Sequence, residues 1–476
     1  MGDGHIEMNR GKELAKNTLI LSIGTFLPKF AALITIPIIT AHLTKVEYGT
    51  YDLLATLVSL LLPVVTLQIH SGAFRFLIDC RDSPEEKKRV ITNIYLFLVP
   101  VSLITLVVLY LALGKIETSS RILVVIYFFV DTFIIATQQV VRGLSKNKLY
   151  SASAVIQSVI NTILIVLLVA IADTGLNGVL ISFIVATSLG IILLMIRGGI
   201  IKEFDASFCS AKTLKQLLNY SWPMIPNTLS NWVLSVSDRL VLTAFMGLEA
   251  VAVYAAANKI PQLFTSVQGT FTFAWQENAS LALSDADVEK YYSDMFDKIY
   301  CILTGIMSAL IGATPILFWL LIKGDYSEAY PQMPILFMGM FFSAMASFLG
   351  GIYVAHKRTK NVGITTMLAA ACNLFIDFVL VKSIGIYAAS ISTLVSYTLL
   401  AIYRMHDVKK FQPISYKYAK IGFSLALLVC MCILCWIHTL PVIIINLIIG
   451  CILAVVLNRD LLSGIMSSLK HRLRNN

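Results

Sequence analysis

Residues 90–113 read VITNIYLFLVPVSLITLVVLYLAL and contain no charged side chain. A helix needs about 20 apolar residues to cross the hydrocarbon core of a bilayer, so this stretch predicts a transmembrane helix. The whole chain of 476 residues is similar in character, with 57% hydrophobic and 13% charged residues and a mean hydropathy of +0.80. A soluble protein of this length could not bury that much apolar surface, so we expect an integral membrane protein.

Stretches of the same kind recur along the chain. They predict an all-α, polytopic membrane protein with about fourteen transmembrane helices. The predicted spans cover residues 17–40, 51–74, 90–113, 121–141, 151–171, 177–197, 218–245, 251–275, 297–322, 332–355, 362–381, 386–404, 416–437 and 441–457. Because the first apolar run is longer than a signal peptide and has no small-residue cleavage site, we expect it to remain as an anchor.

The basic residues alternate from loop to loop. Of the 37 lysines and arginines, 29 fall in one alternating series of loops and 5 in the other. Short cytoplasmic loops retain basic residues, so this asymmetry predicts that both termini are cytoplasmic. The net charge of +10 is therefore spread between spans and is not clustered on a folded surface, which argues against nucleic-acid binding.

The chain resembles itself at an offset of about 210 residues. Residues 142–147 and 174–182 match residues 356–361 and 384–392, and an even number of predicted spans separates the copies. This pattern predicts parallel repeats that form two lobes around a substrate path. We assign residues 1–200 to the N-terminal lobe, 201–410 to the C-terminal lobe, and 411–476 to an additional helix pair with a basic cytoplasmic tail.

Four predicted spans carry polar side chains at helical spacing along one face. Polar groups inside a bilayer are costly unless they face a cavity or one another, so these faces are expected to be wet. They belong to spans one, two, seven and eight, which correspond in pairs between the repeats, and we expect them to line a shared central cavity. The candidate substrate-binding residues are Lys29, Asp52, His70, Arg75, Asn227, Asn231, Asp238, Arg239, Asn258, Lys259 and Gln262.

Basic residues outnumber acidic ones at the centre of this set. Lys29, Arg239 and Lys259 lie within spans, and Asp238 is adjacent to Arg239. A site with net positive charge suits a phosphate or pyrophosphate. Alternatively, Asp238 or lipid headgroups neutralise Arg239 and Lys259, whereas Lys29 lies too near mid-membrane to reach a headgroup.

Two further aspartates lie in predicted spans four and eleven. Asp131 and Asp377 either form a proton or sodium site that couples transport to an ion gradient, or make interhelical hydrogen bonds that hold each lobe together. We expect no metal site and no cofactor. The eight cysteines lack histidines at metal-ligand spacing, and the sequence has no G-x-x-x-x-G-K-[ST] nucleotide loop.

Several motifs resemble one transporter family. They are Asn17-Thr18-Leu19, residues 37–40 (PIIT), residues 43–53 (LTKVEYGTYDL), residues 71–76 (SGAFRF) and residues 139–143 (QVVRG). Together they resemble the Wzx-type polysaccharide flippases of the multidrug/oligosaccharidyl-lipid/polysaccharide (MOP) exporter superfamily, over essentially the full length of the chain.

This resemblance implies a two-lobed, V-shaped transporter in the bacterial inner membrane. Such proteins move undecaprenyl-pyrophosphate-linked oligosaccharide repeat units, used for lipopolysaccharide O-antigen or capsule, from the cytoplasmic to the periplasmic leaflet by alternating access. Cationic cavity residues engage the pyrophosphate and sugar acids, here Lys29, Arg239 and Lys259. A polysaccharide polymerase and chain-length machinery would be partners in the same assembly.

Two other functions remain open. A multidrug antiporter of the same superfamily would present acidic residues to its cavity, and Asp131 and Asp238 keep this possibility. A membrane-embedded polysaccharide polymerase or ligase would carry a large periplasmic loop, and none is predicted. We therefore expect a transporter and not an enzyme.

Overall fold

The computed structural model describes residues 24–80, 83–114, 118–283, 287–459 and 463. Within these residues the chain forms helices and no β-strand, which confirms the predicted all-α class. In the same part of the chain, eleven helices are long and apolar enough to cross a membrane. A bilayer core offers no partners to backbone N–H and C=O groups, and a helix satisfies these groups internally. The total of fourteen spans and their orientation stay predictions.

The chain divides between Trp232 and Val233 into two compact units. The helices of unit 1 are α1 (Gly24–His42), α2 (Lys45–Val65), α3 (Ile69–Asp79), α4 (Pro84–Ala112), α5 (Thr118–Gly143), α6 (Asn147–Ile165, continued by a π-helical turn, Val166–Ile171), α7 (Gly175–Arg197), α8 (Ile200–Glu203) and α9 (Ala211–Ser221). Helix α10 (Ile225–Val236) contains the division. The helices of unit 2 are α11 (Asp238–Met246), α12 (Leu248–Ala282), α13 (Val288–Gly312), α14 (Thr314–Leu321), α15 (Met333–Ala355), α16 (Thr359–Ile384), α17 (Tyr387–Val408), α18 (Tyr418–Cys435) and α19 (Leu440–Leu457).

The second predicted span, residues 51–74, consists of two helices. After α2, Leu67 and Gln68 have φ angles of 47° and 58°, a left-handed conformation that ends a right-handed helix. Pro63, one turn earlier, lacks the N–H that would continue the helical hydrogen bonds. The Gln68 side chain fixes the break by donating to Thr228 Oγ1 over 2.7 Å. The prediction of one continuous span is wrong here, because hydropathy does not report backbone conformation.

The seventh predicted span, residues 218–245, is also interrupted, and its first part packs within unit 1. The Gly72 backbone N–H donates to Ser221 Oγ over 3.1 Å. Trp232 Nε1 donates to Ser59 Oγ over 2.9 Å. These bonds explain why the compact unit extends to Trp232, whereas the predicted second lobe begins at residue 201, before this span.

The two units share a turn near the matching segments of the internal repeat, two positions earlier in unit 2 than in unit 1. Ser145 in unit 1 and Lys357 in unit 2 both have positive φ angles, 60° and 58°. The residue after each donates its N–H to the carbonyl oxygen five positions back, at 3.0 Å in unit 1 and 2.8 Å in unit 2, as in a Schellman helix end. The flanking helices pack alike, since α5 and α6 contact α7 and α15 and α16 contact α17. These features support the predicted repeat.

The predicted terminal helix pair corresponds to α18 and α19, which pack on α13. Helix α19 approaches α13 so closely that a Cβ at Gly450 would overlap the Ser308 carbonyl oxygen. Ser308 Oγ in turn donates to the Gly450 carbonyl oxygen over 3.1 Å. Asn446 Nδ2 donates to the Met431 carbonyl oxygen of α18 over 3.0 Å. These contacts make the terminal pair an integral part of unit 2.

Candidate functional site

Two aspartates are buried inside unit 2. Asp238 begins α11 and is 1% exposed, and Asp377 lies in α16 and is 0% exposed. A carboxylate in an apolar interior loses hydration worth several kcal/mol unless other groups replace it. Ionisable residues within membrane proteins are therefore candidates for function.

Asp238 is held by donors from three other helices. Tyr254 Oη of α12 donates to Asp238 Oδ2 over 2.6 Å, and Thr393 Oγ1 of α17 donates to the same oxygen over 3.2 Å. Asn373 of α16, with its amide oriented so that both ends are satisfied, donates to Asp238 Oδ1 over 3.2 Å. In this orientation the Asn373 oxygen accepts from the Thr393 backbone N–H over 3.3 Å. Asp238 therefore ties α11 to α12, α16 and α17.

Asp377 follows Asn373 by one turn and shares its face of α16. It lies close enough to Asp238 for the two carboxylates to repel each other. Within the part of the chain that the structure describes, neither Asp377 carboxylate oxygen has a hydrogen-bond partner. A buried carboxylate without donors is stabilised when it takes up a proton or a cation. The carboxylate oxygens of this cluster are ligands that hard cations prefer.

A guanidinium group completes the cluster. Arg239 is 2% exposed, and its guanidinium carbon lies 5.4 Å from the centre of the Tyr254 ring, in cation–π range. Its positive charge attracts the adjacent Asp238 carboxylate. Asn258, one turn after Tyr254, is also buried. With both carboxylates ionised, the two aspartates and Arg239 would carry one net negative charge, so one monovalent cation or one proton would balance it.

The candidate residues that precede the division between the units are spread over several helices. Arg75 of α3 is exposed and pairs with Asp79 one turn later at 2.5 Å. Asn231 Nδ2 of α10 donates to the Asn227 carbonyl oxygen over 2.9 Å. The remaining side chains differ in burial: Lys29, His70 and Asp131 are half-buried, Asp52 is buried, and Asn227 and Asn231 are exposed.

In unit 2 the structure separates the predicted cationic residues. Asp238, Arg239 and Asn258 lie with Asp377 in the buried cluster, whereas Lys259 and Gln262 of α12 are half-buried. The Arg239 guanidinium is therefore not displayed to a headgroup in this conformation. The substrate-binding role of the candidate residues stays a prediction, as does the ion-coupling role of Asp131 and Asp377.

Two important residues of α17 were not nominated from the sequence. Thr393 bonds Asp238, as described above, and it lies in a group of hydroxyl residues, Ser390, Ser392, Thr393 and Ser396, within an apolar span. That group is a signal that polar residues inside a span need a partner. Arg404, the last residue of the twelfth predicted span, lies within α17 and is 4% exposed.

Two solved structures show that this fold occurs in transporters. The chain aligns with the lipid II flippase MurJ in an inward-closed conformation at a TM-score of 0.70 and 14% identity, over 93% of this chain and 100% of that chain. It aligns with an inward-facing multidrug-resistance MATE family transporter of the MOP superfamily at a TM-score of 0.66 and 13% identity, over 82% and 99%. At these identities the likeness concerns the fold alone.

Curated relatives share part of the sequence. An uncharacterised membrane protein from Methanocaldococcus jannaschii is 23% identical over 62% of this chain and 61% of its own length. A probable low-salt glycan biosynthesis flippase from Haloferax volcanii is 19% identical over 45% of this chain and 46% of its own length. The matched region therefore covers less than two thirds of either relative.

A family model confirms the resemblance noted from the sequence motifs. The model described as polysaccharide biosynthesis protein matches residues 14–275, more than half of the chain. This match shows that the chain belongs to the polysaccharide biosynthesis protein family.

Proposed function

We propose that this protein is a flippase that moves a lipid-linked oligosaccharide across a cell membrane. Membership of the polysaccharide biosynthesis family carries this proposal. The shared fold with a lipid II flippase and the relative named as a glycan flippase support it. The physical need is clear, because sugar hydroxyls and phosphates cannot cross hydrocarbon without a polar path. The protein is thus a transporter and does not catalyse a covalent step.

The proposed substrate is an undecaprenyl-pyrophosphate-linked oligosaccharide repeat unit. It would move from the cytoplasmic to the periplasmic leaflet of a bacterial inner membrane by alternating access. The polyprenyl tail stays in the bilayer, since burial of each CH₂ group is worth about 0.8 kcal/mol. A polysaccharide polymerase and chain-length machinery that build O-antigen or capsule would then use the translocated unit.

Lys29 and Lys259 are the proposed contacts for the pyrophosphate. Both are half-buried, so each retains a side chain that an anionic group can reach. A lysine ammonium binds phosphate as a compact point charge. Arg239, which is buried beside Asp238, has a different proposed role: its guanidinium balances the carboxylate cluster of unit 2.

The same cluster is the proposed coupling site. Asp377 has two buried carboxylate oxygens that lack a hydrogen-bond partner within the described residues, and Asp238 adds a second carboxylate nearby. Uptake of a proton or a sodium ion would remove the repulsion between them. An ion gradient would then favour one conformation of the transporter over another, because the ion binds the two conformations with different affinity.

Export of glycan by a flippase-deficient bacterial strain tests the transport function. The strain would express the wild-type protein, Lys29→Ala, Lys259→Ala, or the control Lys148→Ala, whose side chain is exposed at the start of α6. We expect the wild type and Lys148→Ala to restore surface polysaccharide, and the other two variants to restore at least tenfold less at equal membrane abundance. Failure of the abundant wild-type protein to restore any lipid-linked glycan export would overturn the proposal.

A multidrug antiporter is the second candidate. The likeness to a multidrug-resistance transporter and the buried carboxylates of unit 2 favour it. The two functions predict different cargo: an antiporter would lower the cellular accumulation of organic cations such as ethidium in an Asp377-dependent manner. A flippase would leave ethidium accumulation unchanged.

A further inference from the structure

Helices α16 and α17 enclose a groove of about 570 Å³ on unit 2. This volume lies in the range of small-ligand sites. Along most of its length the groove is apolar, and at one end it becomes polar. The apolar part includes Leu368, Cys372 and Leu399, and the polar end includes Thr365, Tyr403 and His406.

Basic residues lie close in sequence to the polar end of the groove, at the start of α16 and just after the end of α17. Helix α16 begins just after Arg358, which is exposed and whose guanidinium carbon lies 4.2 Å from the centre of the Phe411 ring. Lys360, in the first turn of α16, is also exposed. On the other side, Lys410 follows His406 by four positions and is exposed. Lys410 pairs with Asp407 at 3.0 Å, so one acid offsets part of this charge.

A buried arginine adds positive charge directly behind this end. Arg404 Nε and Nη2 donate to Thr365 Oγ1, the hydroxyl of a groove residue, over 3.2 and 2.9 Å. Arg404 also donates to the Thr366 hydroxyl and to the carbonyl oxygens of Ala346 and Val362. These oxygens are all neutral, so they leave the guanidinium charge uncancelled. The buried Arg404 therefore adds to the positive potential that the exposed basic residues create at the polar end of the groove.

We infer that this groove binds an anionic membrane phospholipid. One acyl chain lies along the apolar wall from Thr365 towards Cys372, a rise of about 10 Å on the helix. The phosphate lies at the basic end, where Arg358, Lys360 and Lys410 match its charge. Tyrosine and histidine side chains suit this level of a membrane, because their rings tolerate both apolar and polar surroundings. The site is separate from the proposed transport and coupling residues.

Native mass spectrometry of the full-length protein tests this site with phosphatidylglycerol and phosphatidylcholine as probes. We expect the wild type to retain phosphatidylglycerol preferentially. Cys372→Phe fills the groove and should abolish this preference, whereas Met367→Phe should keep it, because Met367 is 53% exposed on α16 and does not line the groove. If Cys372→Phe does not fold, Leu368→Trp replaces it, since Leu368 is 62% exposed and larger side chains are tolerated at exposed positions.

Substitution of the basic residues at the polar end of the groove tests the role of their charge separately. Arg358→Ala and Lys410→Ala should each reduce the preference for phosphatidylglycerol about fivefold, the factor that corresponds to about 1 kcal/mol per basic residue near an anionic headgroup. Equal retention of the two phospholipids by the wild type would overturn the inference. So would loss of preference in Met367→Phe to the same degree as in Cys372→Phe. Displacement of phosphatidylglycerol by equimolar undecaprenyl phosphate would also overturn it and assign the groove to a polyprenyl chain.

Discussion

The Tyr254 hydroxyl donates to Asp238 Oδ2 over 2.6 Å and joins α12 to α11. Both residues are 1% exposed, so water does not compete for this bond. A hydrogen bond to an ionised carboxylate is stronger than one between neutral groups. Tyr254 therefore acts as a positioning residue that holds one oxygen of Asp238 while Asn373 holds the other.

Tyr254→Phe should weaken unit 2 by about 1–2 kcal/mol, because it removes one donor from a buried carboxylate and leaves the ring packing intact. Thermal unfolding of the purified protein measures this change. Tyr403→Phe is the matched control. Because Tyr403 is 52% exposed, this variant should unfold at the same temperature as the wild type. Equal unfolding temperatures for Tyr254→Phe and the wild type would show that the bond contributes nothing to stability.

The proposed coupling role of Asp377 predicts that Asp377→Asn removes any dependence of the protein on an ion. The amide keeps the shape of the carboxylate but not its charge, so it neither takes up a proton nor attracts a cation strongly. If sodium is the coupling ion, sodium at 100 times its Kd should stabilise the wild type by about 2.7 kcal/mol and Asp377→Asn hardly at all. If the coupling ion is a proton, glycan export by Asp377→Asn should lose its response to the proton gradient.

Asp173→Asn provides the control for this experiment. Asp173 is exposed and has a φ of 50°, a conformation that asparagine also accepts. The Asp173→Asn protein should respond to sodium and to the proton gradient as the wild type does. An Asp377→Asn protein that still responds to sodium and to the proton gradient as the wild type does would exclude Asp377 from coupling.

The sequence predicted the helices well and their interruptions poorly. Long apolar runs such as residues 90–113 became single helices, because the bilayer leaves the backbone no alternative. The break at Gln68 was missed, since it depends on a hydrogen bond to Thr228, which is distant in sequence. Local hydropathy contains no information about such a partner.

The candidate site was predicted in part for the same reason. Asp238, Asp377 and Asn258 were found because a polar residue in an apolar span needs an explanation. Thr393 was missed, because a hydroxyl can bond its own helix and so gives a weak signal. The sequence did not reveal that Arg239 is buried, since burial depends on the packing of α11 against α12 and α16.

Arg404→Lys should destabilise unit 2 by about 3 kcal/mol. Arg404 bonds α15 through the Ala346 carbonyl oxygen and α16 through Thr365 and Thr366. A lysine has three donors on one nitrogen and cannot reproduce the planar fork of a guanidinium, so several buried oxygens would lose their partner. Thermal unfolding measures the loss, with Arg197→Lys at the exposed end of α7 as the control. A loss below about 0.5 kcal/mol would mean that the fork geometry is unimportant there.

Gly450→Ala should loosen the packing of α19 on α13. The added methyl group would overlap the Ser308 carbonyl oxygen, and a backbone atom cannot move aside as a flexible side chain can. We expect a loss of about 1–3 kcal/mol in thermal unfolding, together with faster proteolysis near the C-terminus.

Gly422→Ala is the matched control for this change. A Cβ at Gly422, which lies within α18, meets nothing within 4 Å, so the only expected effect is the better helix propensity of alanine, worth up to about 1 kcal/mol. The two substitutions are chemically identical and should therefore change stability in opposite directions. Stabilisation by both variants would show that α19 can move away from α13 without cost, and that the close contact at Ser308 does not hold the terminal helix pair in place.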